Sequence, residues 1–370
     1  MNFLCKGFFK KYLLPGLVFQ SVIIGGGYGT GRELVEYFLE YGPVGGLLGM
    51  ILITTVMWSV FLALTFEFSR RFRAYDYRTF FKQLLGPTPG WIIFEEIYII
   101  FLLIVLAVLG AASGELLHDN FGLHYMVGVA IMLAAVGFLT FVGSGLIEKF
   151  LSLWSFVLYA IYAVFFVITF IKLGSAIRGN FAQIEIKPGW AASGFKYAFY
   201  NLSAVAALLF CLTHIETRKE AISAGLIAGV IGIVPGLLFY VVMVGSYQEV
   251  LPLEVPSVFV FEKTGIKALL IIFQIVLYGT LVETGTAMIH AVNERINAAL
   301  QFRKKQLPRW MRPLVAIVFL LIAMAASRFG LIDLIDKGYG TLCWGFFFVF
   351  LLPLANWALH QMIKSRPILD

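Results

Sequence analysis

Gly25-Gly26-Gly27-Tyr28-Gly29-Thr30-Gly31-Arg32-Glu33 decides how this chain folds, because it interrupts the first of its long apolar runs. Five glycines in seven residues oppose a continuous helix, at about 1 kcal/mol each relative to alanine. In hydrocarbon the difficulty grows, since every backbone N–H and C=O needs a partner and irregular backbone is tolerated only where it lines a cavity. A helix broken here ends one half in free carbonyls and starts the next with free N–H groups, suited to a cation and a carboxylate respectively. Gly25, Gly26, Gly27, Tyr28, Gly29, Thr30 and Gly31 are therefore the primary candidate binding site. The competing reading is close helix packing across small residues; the charged Arg32 and Glu33 that follow at once favour the break.

The setting is a bilayer. Of 370 residues, 60% are hydrophobic and 13% charged, against roughly 25% charged in a soluble domain. No segment reads as a separate soluble unit, so 1–370 is a single transmembrane domain. A hydrocarbon core about 30 Å thick takes about 20 apolar residues per helix. Runs of that kind predict ten spans, near 12–38, 43–68, 91–113, 125–145, 150–173, 194–216, 221–246, 266–290, 313–329 and 339–360. The first follows Lys6, Lys10 and Lys11 as in a signal peptide, but it lacks a small-x-small cleavage site before Arg32 and reads as a retained helix. Cys5, Cys211 and Cys343 are far apart and show no metal-ligand spacing, so neither a disulfide nor a zinc site is expected.

The net charge of +7 is not a nucleic-acid signal, because the basic residues sit between apolar runs and not on one amphipathic face. They report topology instead. With the amino terminus inside, 19 of the 28 Lys and Arg residues fall in cytoplasmic segments, which predicts a multi-pass protein of the inner (plasma) membrane with both termini cytoplasmic. The 171–190 link runs against the pattern, carrying Lys172, Arg178 and Lys187 on the outer side.

Ten spans divide into two sets of five, 12–173 and 194–360, and an odd number per half forces the halves into opposite orientations, an inverted repeat. Two links support this. The 69–90 link, with Phe72, Tyr75, Phe80, Phe81 and Leu84, and the 247–265 link, with Val250, Leu253, Val258, Phe259 and Phe261, are long, amphipathic and equivalently placed on opposite sides; each also fits an ordinary interfacial helix. No short-period repeat is visible, which argues against a solenoid.

The glycine stretch resembles the G-x-G-[FY]-x-[ST]-G-x-E segment of the bacterial YkvI-like membrane proteins, which are similar to the amino acid–polyamine–organocation superfamily with the LeuT fold. Phe66-Glu67-Phe68-Ser69-Arg70-Arg71-Phe72 resembles that superfamily's link after helix two, and Tyr200-Asn201-Leu202 its sixth helix. The resemblance covers nearly the whole chain in spacing but only these stretches in residues. It implies an all-α integral membrane fold of about ten helices in a 5+5 inverted repeat, with helices one and six interrupted. In helix six the glycine-rich break of the pattern is replaced by Asn201-Leu202-Ser203-Ala204-Val205-Ala206-Ala207.

Several polar groups fall inside the spans. Thr280, Glu283 and Thr284 share one helical face, and an intramembrane acid usually faces the bundle interior. With two hydroxyls it suits a Na⁺ site or a proton carrier, or else a structural Glu satisfied by its neighbours. Arg32, Glu33, Glu36 and Glu40 lie in the outer half of helix one. Arg32 is read as an outer gate closing on Asp333 or Asp336, or alternatively as a local partner of Glu36. Tyr98, Tyr200, Asn201, Ser203 and Tyr278 are candidate walls for a small substrate. His214, Glu216, Arg218, Lys219 and Glu220 form a solvated helix end or an inner gate.

No hydrolase elbow, H-E-x-x-H or P-loop occurs in the sequence, so neither an enzyme nor ATP-driven transport is expected. The expectation is a secondary transporter of a small solute by alternating access, coupled to H⁺ or Na⁺, with its site between helices one, three, six and eight. Its partners are the lipid bilayer and the solute, without nucleic acid; no cofactor is expected beyond Na⁺ as a coupling ion, and the oligomeric state is left open. An amino-acid-like substrate is implied by the resemblance alone. The alternative is a transporter-like receptor that binds a small ligand without translocating it.

Overall fold

The computed structural model describes residues 7–86, 89–142, 144–302, 308 and 310–364; expectations placed on Cys5, Lys6, Arg303, Lys304, Lys305, Arg309 and Arg366 lie outside them. Among the described residues every regular element is a helix. Eight are long and apolar enough to cross a bilayer; the short apolar helix Tyr125–Thr140 and the broken first span, Leu14–Tyr41, bring the number to ten. The second to tenth spans are Pro43–Phe72, Gly90–Phe121, Tyr125–Val142, Ser144–Ala182, Trp190–His214, Arg218–Val244, Lys267–Phe302, Met311–Phe329 and Leu331–Gln361.

Most ends run past the predicted limits, because a helix continues until capping chemistry stops it and not until hydrophobicity does. The fifth span reaches Ala182, so Lys172 and Arg178 ride on a helix and not on a loop. Lys172 donates to the Thr264 carbonyl and Arg178 to Gly174 O within its own helix. The outer surface is apolar, with Phe138, Val167, Ile171, Ile275, Leu321 and Phe348 all more than half exposed, a patch that only lipid covers favourably. The chain is an all-α, multi-pass membrane protein.

Both amphipathic links are helical and sit at equivalent places in the two five-span sets. Asp76 caps Tyr77–Leu85 by accepting from the Thr79 amide at 2.9 Å, and Pro256 opens Pro256–Lys263 at the first helical position, where a missing N–H costs nothing. Alternation of helix direction places them on opposite faces of the molecule, as the inverted repeat requires.

The first span is helical over Leu14–Ile23, leaves helical geometry at Ile24 and at the extended Gly25, resumes over Gly26–Thr30, and turns again at Gly31 before Arg32–Tyr37. Gly31 has φ +81°, a left-handed conformation that any side chain would strain. The sixth span is interrupted differently. An α-helix over Trp190–Asn201 tightens to 3₁₀ at Leu202–Ala204 and again at Leu209–His214. With Asn201-Leu202-Ser203 in place of glycines, the backbone tightens but stays right-handed.

The seventh span carries Gly225, Gly229, Gly232 and Gly236 on one face. A Cβ at these positions would overlap, respectively, the Ala63 backbone, Ser59, the Phe19 ring and the Tyr28 hydroxyl. Small residues let helices approach closely where lipid supplies no hydrophobic drive, and here they seat the seventh span on the second and on both halves of the first. Trp58 closes the layer, edge-on to Phe19 at 5.1 Å and donating to the Ala198 carbonyl at 3.3 Å.

Candidate functional site

The break in the first span opens on a small cavity of about 60 Å³. Its walls come from the first, third, sixth, eighth and tenth spans and include Val22, Ile23 and Gly25 at the break, Tyr98 and Phe101, Tyr200, Asn201 and Ser203, Thr284, and Tyr339. Of the residues expected here, Gly25, Tyr98, Tyr200, Asn201, Ser203 and Thr284 are brought together.

Three other members of the glycine stretch pack against neighbouring spans. Tyr28 is buried against Phe239 with its hydroxyl beside Gly236, Gly29 faces Leu277, and Gly31 faces Met243. Thr30 donates its hydroxyl to the Gly27 carbonyl at 2.9 Å, satisfying a group that the break would otherwise strand. Tyr278 is not on the cavity wall.

The acid at the cavity is Glu33, by sequence position one of the charges of the outer half of the first span. The turn at Gly31 folds its side chain back along the broken segment, so that a Cβ at Gly27 would overlap the carboxyl group. Tyr200 donates to Glu33 Oε2 at 2.8 Å, and the residue is 6% exposed. Among the described residues no Lys, Arg or His pairs with it. A carboxyl so buried is balanced by a proton or by a bound cation. The sequence did hold a signal: the spacing from Gly27 to Glu33 is such that one left-handed residue between them returns the carboxyl to the glycine.

Of the three polar residues expected to form an ion site on the eighth span, Thr284 lines the cavity. Thr280 is buried and donates to Val276 O within its own helix at 2.9 Å, Thr284 reaches the break at Gly25, and Glu283 is not on the cavity wall.

Above the cavity, Arg32 is 1% exposed. One guanidinium nitrogen donates to the carbonyls of Leu251 at 2.6 Å and Leu253 at 3.1 Å; another pairs with Glu36 and with Glu40 at 3.1 Å. The expected partners lie apart: the tenth span begins at Leu331, which places Asp333 and Asp336 within its helix, and Asp333 pairs with Lys337 at 2.9 Å. Arg32 is thus hydrogen-bonded to the 247–265 link. Glu254 of that link accepts from the Ile332 amide at 3.2 Å, tying in the tenth span. Burial pushes the Glu254 carboxyl above its ordinary range, with the amide hydrogen bond opposing.

On the side of the amino terminus, Arg295 of the eighth span lies 4.0 Å from the Tyr98 ring centre and 4.2 Å from that of Tyr77, with Glu95 Oε1 at 3.6 Å. Tyr98 therefore carries a cation on one side while also lining the cavity. Further out, Lys11 pairs with Glu220 at 2.9 Å, Glu220 completes a capping box with Thr217, and Arg70 reaches the Glu216 carbonyl at 3.3 Å. The acids of the expected inner cluster join the first and second spans to the start of the seventh.

Gly27→Ala should act at a distance from any ligand. The new methyl displaces the Glu33 carboxyl, breaking a charge-assisted hydrogen bond of about 1.5–3 kcal/mol. Binding to the cavity should fall roughly tenfold or more by the same figure, while Gly25→Ala, whose Cβ meets only Thr284 at 3.8 Å, should be mild. Equal affinities for the two variants in a titration of purified protein would contradict this arrangement.

No protein-family model matches the sequence. A membrane protein of Bacillus subtilis (strain 168), YkvI, itself uncharacterized, is 26% identical over 249 residues, 66% of this chain and 67% of that protein. Among solved structures, a mutant of the manganese transporter of Eremococcus coleocola superposes with a TM-score of 0.52 and 16% identity over 93% of this chain and 78% of the transporter. The same transporter bound to an aromatic bis-isothiourea substituted compound gives 0.52 and 16% over 92% and 77%. At this identity the likeness establishes the shared fold, the LeuT-like arrangement of two inverted five-helix sets.

Proposed function

We propose that the protein is a secondary transporter that moves a small, amine-bearing solute across the plasma membrane by alternating access, coupled to H⁺ or Na⁺. The observation that carries this reading is the Glu33 carboxyl at the break of the first span, facing a small cavity between two polar closures. On one side stands Arg32 with the 247–265 link, and on the other Arg295 with Glu95 and Tyr98. A carrier needs a site that each closure can expose in turn, with a group whose charge is set by the driving ion. Glu33 takes the coupling role, Tyr200 orients it, and Thr284 with the carbonyl end of Leu14–Ile23 supplies oxygen ligands when the ion is Na⁺. The distribution of Lys and Arg supports the Arg295 closure and both termini lying on the cytoplasmic side.

Proteoliposomes loaded with a candidate solute should show counterflow of its labelled form, dependent on the protein. A receptor with this architecture would bind the solute and give no flux, the outcome that would replace transport with ligand sensing.

A further inference from the structure

Resting on the transport reading of this same cavity, we infer that it selects a small alkylammonium cation and has no place for a free carboxylate. Three independent features of the wall carry the same sign. The first is the Glu33 carboxyl, whose Oε2 is engaged by Tyr200 while Oε1 accepts no hydrogen bond among the described residues. The second is a run of aromatic rings. Phe101 lies 5.6 Å from Tyr339 and 6.2 Å from Tyr200, Tyr200 lies 4.9 Å from Tyr339, and Tyr98 extends the series at 6.3 Å from Phe101. Such rings attract a desolvated ammonium by their quadrupoles. The third is the carbonyl end of the helix Leu14–Ile23, whose last residues Val22 and Ile23 form part of the wall; a helix carboxyl end favours positive charge.

No cationic side chain on the wall answers a carboxylate. Among the described residues the lining holds no Lys, Arg or His; Arg295 stacks on Tyr98 but is not part of the wall. The sixth span runs through this level without a free amino end, because its backbone tightens to 3₁₀ and does not unwind. The helix that follows Gly25 is only five residues long, too short for an appreciable dipole.

A divalent metal fits no better, despite the fold shared with a manganese transporter. Hard divalent cations take about six oxygen ligands, several of them carboxylates. Among the described residues no three of His, Cys, Asp and Glu converge, and the cavity offers one carboxyl. A soft, weakly hydrated organic cation is satisfied by one carboxylate and aromatic rings, and the small cavity favours small alkylammonium ions.

The test uses the purified full-length protein at fixed ionic strength, titrated calorimetrically with methylammonium, dimethylammonium, alanine, acetate, Na⁺ and Mn²⁺. Methylammonium or dimethylammonium should bind at least tenfold more tightly than any of the others. Glu33→Gln should lose tenfold or more of that affinity, and Tyr339→Leu, which removes one ring face and leaves the acid, should lose severalfold. Competition between methylammonium and dimethylammonium in the wild-type protein tests a shared site without any variant. Alanine, acetate, Na⁺ or Mn²⁺ binding as tightly as the alkylammonium ions would overturn the inference, as would undiminished binding in a folded Glu33→Gln. Alkylammonium binding with no flux in proteoliposomes would leave the inference standing and remove the transport reading. Flux of alanine with no alkylammonium binding would do the reverse.

Discussion

Glu33→Gln should reduce concentrative uptake in proteoliposomes by tenfold to a hundredfold, the largest effect expected of any single side chain in this protein. The amide is nearly isosteric, so the Gly27 seat and the Tyr200 contact survive in shape. What disappears is the negative charge and the ability to take up and release a proton. Charge-assisted hydrogen bonds are worth about 1.5–3 kcal/mol, which converts to roughly that range in affinity. The form of the loss reports the coupling ion. If Glu33 carries a proton, pH-driven accumulation vanishes while counterflow exchange persists, because exchange needs no net proton movement. If it holds Na⁺, exchange loses its Na⁺ dependence too, and Thr284→Val should weaken Na⁺ dependence in the same direction. Wild-type accumulation by the variant would return Glu33 to a structural role.

Arg32→Gln should be costly in a second way. The guanidinium is buried and holds two carboxylates and two carbonyls of the 247–265 link. Removing one partner of a buried ion pair costs about 3–5 kcal/mol; here Glu36 stays largely buried while Glu40 is 42% exposed, so the cost falls at or below the lower end of that range. The melting temperature of the solubilised protein should fall by several degrees. A cysteine placed at Ser203, on the cavity wall, should react faster with a polar reagent added on the Arg32 side. Arg32→Lys should be intermediate, since an ammonium keeps the charge but cannot reproduce the planar fork. Unchanged melting and unchanged labelling would show that this closure is not held by Arg32.

The spans were legible because apolar runs of sufficient length have only one physical meaning in a chain this poor in charge. The break was legible for a similar reason: glycines at Gly25, Gly27 and Gly31 cannot be paid back by propensity in hydrocarbon. The partners of Arg32 and the identity of the cavity acid were not. Both depend on where a helix starts and on one residue's handedness, and a linear pattern carries neither. The start of the tenth span at Leu331 moved Asp333 into an intrahelical pair with Lys337. The left-handed Gly31 moved Glu33 from an apparent outer cluster to the cavity. On the eighth span the shared face of Thr280, Glu283 and Thr284 was correct helical geometry, but a face about 100° wide does not say which of its members meets the neighbouring helix.

The glycine face of the seventh span has a mechanical corollary. Where a helix meets backbone through Gly225 and Gly229, no side chain intervenes that could change rotamer to absorb a displacement. Sliding by even a fraction of a residue would drive main chain into main chain. On the transport reading proposed above, the first, second and seventh spans would move as one stiff beam, and the motion that exposes the cavity would have its shear plane elsewhere. The surfaces free to slip are those padded with long, adaptable side chains, above all the Tyr98–Arg295 contact and the seat of the 247–265 link on Arg32.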